Sequence, residues 1–446
     1  MRISAIGKVL AIVCLSVGLG IVSGERARAA DAAMESANIQ RLLDEARAGD
    51  TVRIPPGTYD GSLVIGKPLR IEADGDVTIV TRSGKPAVHI TADGVQLGEL
   101  QLVNESAGDS SAVLVTANDA NLHGLKIRTS AFGIKLEGAN RAEIRNADIT
   151  WGGPESAKLT EKRNGIDLYK SDDNVMTGNT ISSMHDAIYL ESSNGNKIES
   201  NQVEKSRYGI HCMYADRTTI RGNTGTYNVT GAMIMSVKNS ELSGNSFAKQ
   251  SENVHSQGIL MFDVQSSRVV DNAAEGNRVG IYVEQSQHNE LSGNVLTGNF
   301  IGFQLLDSEN NRISGNELIG SVVDAEARDS RNNAVSGNYW DSFRGIDTDG
   351  DGRSDTAYAI NPFFQAMAKA KPAYQLFFQS PGMTFLESLF QGGRQEWTTD
   401  AAPLMKPPSY GTKAGEAPNA AATGILASLL LAASLVIIYY TGVRRS

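Results

Sequence analysis

Cysteine is nearly missing from this chain. Of 446 residues only Cys14 and Cys212 carry a thiol, and Cys14 sits in an amino-terminal apolar stretch with the marks of an export signal. A disulfide framework is excluded, so stability has to come from packing and backbone hydrogen bonds. Aromatic residues are sparse at 6%, and charged residues make up 20%. Basic excess is missing too: 41 Lys and Arg stand against 50 Asp and Glu, a net charge of −9. Nucleic acid is a poor partner for such a surface, because phosphate contacts need a basic face. Glycine, in contrast, is abundant at 45 residues, which suits a turn-rich β protein.

The two ends differ from the middle. Arg2 and Lys8, the apolar segment Val9 to Val22 and the Ala27-Arg28-Ala29 site give residues 1–29 the form of a secretory signal. Val13 before Cys14 lacks the small side chain that lipoprotein processing needs. Cleavage after Ala29 removes four basic residues and one acidic one, taking the net charge from −9 to −12. At the other end, Ala420 to Gly442 is a run of roughly 20 apolar residues, long enough to cross a bilayer as a helix. Arg444 and Arg445 follow it, which sets the carboxyl terminus on the cytoplasmic side and the body outside. The expectation is a periplasmic protein held by a C-terminal inner-membrane anchor. A buried helix or a removable sorting signal would read alike.

Between these ends the chain repeats. A small residue opens an apolar segment at Gly165, Ala187, Gly209, Gly231, Gly258, Gly280 and Gly302. The step is 22 residues, apart from one of 27 that places a five-residue insertion near Ser251 to His255. Asn179, Asn201, Asn223, Asn245, Asn272, Asn294, Asn316 and Asn338 keep the same period. Stacked asparagines in left-handed turns and short strands at this period predict an all-β fold, a right-handed parallel β-helix with 22-residue coils. The expected organisation is a signal peptide at 1–29, an N-terminal cap helix within 30–50 and coils over 51–362. A helical cap or docking segment follows at 363–397, then a linker at 398–419 and a transmembrane helix at 420–442. Ile39, Leu42, Leu43 and Ala46 form the apolar side of the cap helix.

Alternation fixes the faces of each strand. The first and third residues after the small one point inward, Cys212 and Met261 among them, and the second and fourth point outward. Two adjacent coils then present His211/Met213 and Met233/Met235 outside. Residues i and i+2 lie about 7 Å apart on a strand and neighbouring coils about 4.8 Å apart, so the four can face one point. Imidazole with thioethers is a soft set that selects Cu(I). Six of the eleven methionines fall between Met176 and Met261. Met184 and His185, in the turn before the Tyr189 strand, and His255, in the insertion, are further expected copper ligands. An adaptable apolar docking patch for a protein partner fits the same methionines.

After the last coil, Asn338-Tyr339-Trp340-Asp341 leads into a loop over 347–355. Asp347, Asp349, Asp351 and Asp355 stand at positions 1, 3, 5 and 9 of a calcium-type loop with Gly352 at position 6. Tyr358 replaces the usual glutamate at position 12. A shortened Ca²⁺ loop and a metal-free acidic turn are both open readings.

The opening Ala48-Gly49-Asp50-Thr51 to Pro56-Gly57-Thr58-Tyr59, the 22-residue coils and the Asn338 to Gly352 segment resemble the NosD family of periplasmic maturation proteins. Asp355-Thr356-Ala357-Tyr358 departs from that family's Asp-x-Pro-Tyr. The resemblance implies an accessory protein and not an enzyme, working with an inner-membrane ABC transporter and a copper chaperone to assemble the copper–sulfur centre of nitrous oxide reductase. The competing class is a polysaccharide-modifying enzyme on the same fold, an alginate epimerase or lyase, with His185-Asp186 and Tyr208 to His211 as its nearest acid–base residues. The epimerase Asp-Pro-His-Asp motif is absent, and a mature charge of −12 disfavours a polyanionic substrate.

Overall fold

The computed structural model describes residues 37–408, apart from 107, 251–255, 395 and 396, together with Ser434. The expected signal peptide, His255 and, Ser434 apart, the expected membrane run lie outside the described residues. Short strands stack coil upon coil into three parallel sheets of 15, 13 and 12 strands. Each coil gives one strand to each sheet, and every strand pairs with the strand one coil on. From Ile166 onward the register advances 22 residues per coil, as where Ile188 lies beside Ile210, and 27 across the insertion, where Ile234 lies beside Met261; earlier steps vary, with Thr51 beside Arg70 and Ile134 beside Ile166.

The recurring small residue has a steric cause. A Cβ on Gly231 would lie 2.5 Å from the Gly258 carbonyl oxygen and 2.6 Å from the Phe247 ring. Neighbouring coils approach too closely there for a larger side chain. The asparagines form a continuous ladder. Asn201 donates to Asn223 Oδ1 through both its backbone N and its Nδ2 at 2.9 Å, and Asn223 does the same to Asn245. The turn before each rung needs a left-handed residue, supplied by Gly222 (φ 63°) in one coil and by Ser200 (φ 55°) in another. Two shorter ladders were not expected: one runs through Ser206, Asn228, Gln250 and Asn277, the other through Ser267, Asn289, Asn311 and Asn333.

The interior is one apolar column. Ile166, Ile188, Ile210, Ala232, Ile259, Ile281 and Phe303 stack along it, with Met176, Met261 and Cys212 fully buried, the last two as the alternation implied. Burial pushes the Cys212 thiol up to about 12, so it offers no thiolate. At the start, residues 37–45 are helical and bury Ile39 and Leu43 in the column, while Leu42 is exposed.

Beyond the last coil, helices Phe363–Ala370 and Pro381–Leu389 flank a 3-10 turn, Pro372–Phe377. Phe363, Phe364, Phe378 and Met383 pack on Val279, Ile301 and Val323 of the third sheet. The chain then returns. Thr399–Asp400 joins the first sheet beside Val335 and pairs antiparallel with Tyr358–Ala359. The linker expected from residue 398 therefore begins later, because residues 399–405 are hydrogen-bonded to the coils and to the Asp-rich loop.

Candidate metal centre on the outer face

Strands Asp186–Glu191, Tyr208–Met213 and Thr230–Met235 lie side by side in the third sheet. The outward positions form two rows. One runs Tyr189, His211, Met233, Leu260, Tyr282; the other runs Glu191, Met213, Met235, Phe262, Glu284. His211 is thus the direct neighbour of Met233, and Met213 of Met235, as the alternation required.

His211 is not a free surface side chain. The Tyr189 and Tyr208 rings flank it, each with its centroid 4.9 Å away, and the residue is 7% exposed. Its Nδ1 lies 2.9 Å from Asp186 Oδ2. Arg207 grips the same carboxylate with two bonds, Nε at 2.8 Å and Nη2 at 2.6 Å, and lies 4.4 Å over the Tyr208 ring. Burial works to raise the Asp186 carboxyl, but the hydrogen bonds from His211 and Arg207 overcome it and hold the group below its usual range. An ionised carboxylate can only accept, so in the neutral ring the proton sits on Nδ1 and the lone pair on Nε2. That Nε2 is buried and has no hydrogen-bond partner among the described residues.

A buried, unsatisfied imidazole nitrogen costs free energy unless something occupies it. A carboxylate holding the far nitrogen is the usual outer support of a metal-binding histidine. Met233 is 7% exposed and Met213 and Met235 are half-buried beside it. The donors present fit Cu(I) better than a hard ion.

Met184 is a correction: it is fully buried in the interior column and cannot reach the outer face. His185 is half-buried, with its Nδ1 2.6 Å from the Leu159 carbonyl oxygen. Asp186, Arg207 and Tyr208 were not expected at the metal face. Their signal is faint, since Asp186 and His211 stand 25 residues apart, not one full coil.

In the Asp-rich loop, Asp347, Asp349 and Asp351 bring one carboxylate oxygen each within 4.8 Å of the others. Asp355 stands apart from this trio and accepts from the Thr348 backbone N at 2.8 Å. The trio already accepts from local amides: Gly350 and Gly352 donate to Asp347, and Arg353 donates to Asp351.

One coil past Met233 a cavity of about 660 Å³ opens between the third sheet and the C-terminal helices. Leu260, Tyr282, Arg278, Glu326, Gln375 and Phe378 line it. Arg278 lies 4.1 Å over the Phe300 ring and donates to Gln375 Oε1 at 3.0 Å. Burial pushes the Glu326 carboxyl up to about 7.

Comparison with known proteins bears on this face. Residues 153–345 match the family described as "Periplasmic copper-binding protein (NosD)", and residues 23–217 match a family described as a protein of unknown function (DUF1565). Asp186, Arg207, His211 and the three methionines all fall within the first match. A curated protein of Pseudomonas aeruginosa, "Probable ABC transporter binding protein NosD", is 28% identical over 420 residues, covering 79% of this chain and 87% of its own. Among solved structures, the A-module of the Azotobacter vinelandii mannuronan C-5 epimerase AlgE6 superposes with a TM-score of 0.50 at 16% identity, over 68% of this chain and 89% of that one. The alginate lyase AlyF-OU02 superposes at 0.54 with 13% identity, over 69% and 83%. These two likenesses concern the fold alone.

Proposed function

Residues 153–345 match the NosD family model, and from that match we propose that this chain is a periplasmic accessory protein that carries Cu(I) on the outer face of its third sheet. The cargo would be delivered, with an inner-membrane ABC transporter and a copper chaperone, to the copper–sulfur centre of nitrous oxide reductase during its assembly. Residues 1–29 would export the chain, and residues 420–442 would anchor it.

The unpartnered Nε2 of His211, beside three methionines, carries this reading. Asp186 fixes the ring tautomer, and Arg207 keeps Asp186 charged. The Tyr189 and Tyr208 rings exclude water, which favours a soft, weakly hydrated ion. Thioethers and one neutral imidazole would add no negative charge to the ion, which suits a carrier that must give up its cargo. A carboxylate ion-paired to arginine and held low is a poor general base, which weighs against the polysaccharide-enzyme reading.

The test is anaerobic titration of the full-length protein in detergent with Cu(I) against a competing chelator. A variant with His211, Met213, Met233 and Met235 all changed to alanine runs beside it. Stoichiometric binding that the variant loses supports the reading. Equal, weak binding by both proteins overturns it.

A further inference from the structure

The C-terminal helices expose apolar surface that no part of the copper chemistry uses. Leu376 is 84% exposed, Phe377 57%, Phe385 63%, Leu386 47% and Leu389 60%. These are five of the eleven exposed large hydrophobics among the described residues, and all fall between residues 376 and 389. Scattered exposed apolar side chains need no explanation, but a concentrated cluster marks an interaction surface. On helix Pro381–Leu389, Leu389 is a neighbour of both Phe385 and Leu386, four and three residues back, so the three lie along one side. Met383 of the same helix is buried against Phe363, Phe364 and Phe378. The helix thus has apolar sides toward both the protein and the solvent.

Charge and chain continuity point to the occupant. In a chain of net charge −9, the charged residues between 363 and 394 are Lys369, Lys371, Arg394 and a single acid, Glu387. The three basic residues are exposed and Glu387 is half-buried. Exposed leucine and phenylalanine in a segment whose exposed charges are lysine and arginine is the composition of a surface that lies in a lipid headgroup layer. Residues 409–419 then lead into the apolar run at 420, a connection that spans at most ~40 Å when fully extended.

We propose that the apolar face formed by Leu376, Phe377, Phe385, Leu386 and Leu389 docks into the surface of an anionic bilayer. The proposal rests on the anchor reading for residues 420–442, and it adds a second, interfacial contact. A single spanning helix on a short tether would leave the coils free to swivel. This contact would fix the C-terminal end of the coils against the membrane and present the copper face at a constant attitude to membrane-embedded partners.

The test is the full chain carrying Phe385→Cys labelled with an environment-sensitive NBD dye. Cys212 is fully buried, and with Cys14 changed to serine the new thiol is the labelling site. Val64→Cys, at an exposed position in an early coil, is the control. In vesicles of phosphatidylcholine with phosphatidylglycerol, the dye at 385 should shift to the blue and brighten several-fold. Acyl-brominated lipid should quench it, and the control should stay water-like. Changing Lys369, Lys371 and Arg394 to glutamate should abolish the shift. An unshifted dye at 385 in a chain that resists carbonate extraction overturns the docking and leaves the anchor standing. Carbonate extraction of the chain with a shifted dye sinks the anchor and leaves the docking. A shift seen only in vesicles that contain inner-membrane proteins assigns the face to a protein partner and overturns the proposal.

Discussion

Asp186 Oδ2 lies 2.9 Å from His211 Nδ1, and this contact leaves Nε2 as the bare, buried nitrogen of the outer face. Asp186→Asn keeps the shape and removes the charge that fixes the ring. Outer-shell changes of this kind typically weaken metal binding by about 10- to 100-fold. The expected result is that loss in a Cu(I) competition assay, together with a mixed Nδ1/Nε2 tautomer signature in the ¹⁵N spectrum of His211. Unchanged affinity with a changed tautomer would remove Asp186 from the site.

Met184 and Met235 should separate packing from binding. Met184 fills the interior column, and truncating a buried methionine to alanine costs about 2–5 kcal/mol. Met184→Ala should therefore lower the melting temperature and leave Cu(I) affinity unchanged. Met235 is half-buried on the outer face, so Met235→Ala should do the reverse. Paired melting and competition measurements check both halves.

The sequence makes the coil period and strand parity legible because both have steric causes that repeat. Gly231 meets a neighbouring carbonyl, as Gly209 and Gly258 do, so only a small residue survives there. Parity fails across turns. Met184 lies in a turn, where strand alternation does not decide the face: Ser183 before it adopts a left-handed φ of 62°, and Met184 is buried in the interior. The Asp186–His211 contact links positions that are not one coil apart, so no periodic alignment reveals it. The return of Thr399–Asp400 to the first sheet involves two residues, too few for a strand pattern to show.

Asp400 closes the asparagine ladder. It accepts from the backbone N of Gly337 and of Asn338 at 2.9 Å, and from Asn338 Nδ2 and Trp340 Nε1 at 3.0 Å. Asp400→Ala would leave four buried donors without partners, at about 1–3 kcal/mol for each that finds no water. The expected outcome is a loss of about 3–5 kcal/mol, on the scale of removing a buried polar network. Asp400→Asn should lose less, since one acceptor oxygen remains. Hydrogen exchange should localise the damage to the last coil and the returning strand, and uniform destabilisation of every coil would contradict this account.

Glu326 sets a pH dependence with a definite sign. Burial raises its carboxyl from 4.5 to about 7, and Gln304 Nε2 donates to it at 2.9 Å. A raised folded-state pKa favours the folded state while the group is protonated. That contribution is complete below about 4.5 and is lost as pH climbs to about 7. A shift of this size is worth up to about 3 kcal/mol at 1.36 kcal/mol per unit. Asp167, raised by burial to about 6, acts in the same direction, and Asp186, held low, acts in the opposite one. The variant must therefore be compared with the parent at each pH so that the other groups cancel. Glu326→Gln keeps a partner for Gln304 and removes the titration. Hydrogen exchange of strand Val323–Arg328 should give equal protection in both proteins near pH 4.5 and greater protection in the variant at pH 8. Equal protection at both pH values would mean that Glu326 titrates as it does in water, with the cavity beneath the C-terminal helices open to solvent around it.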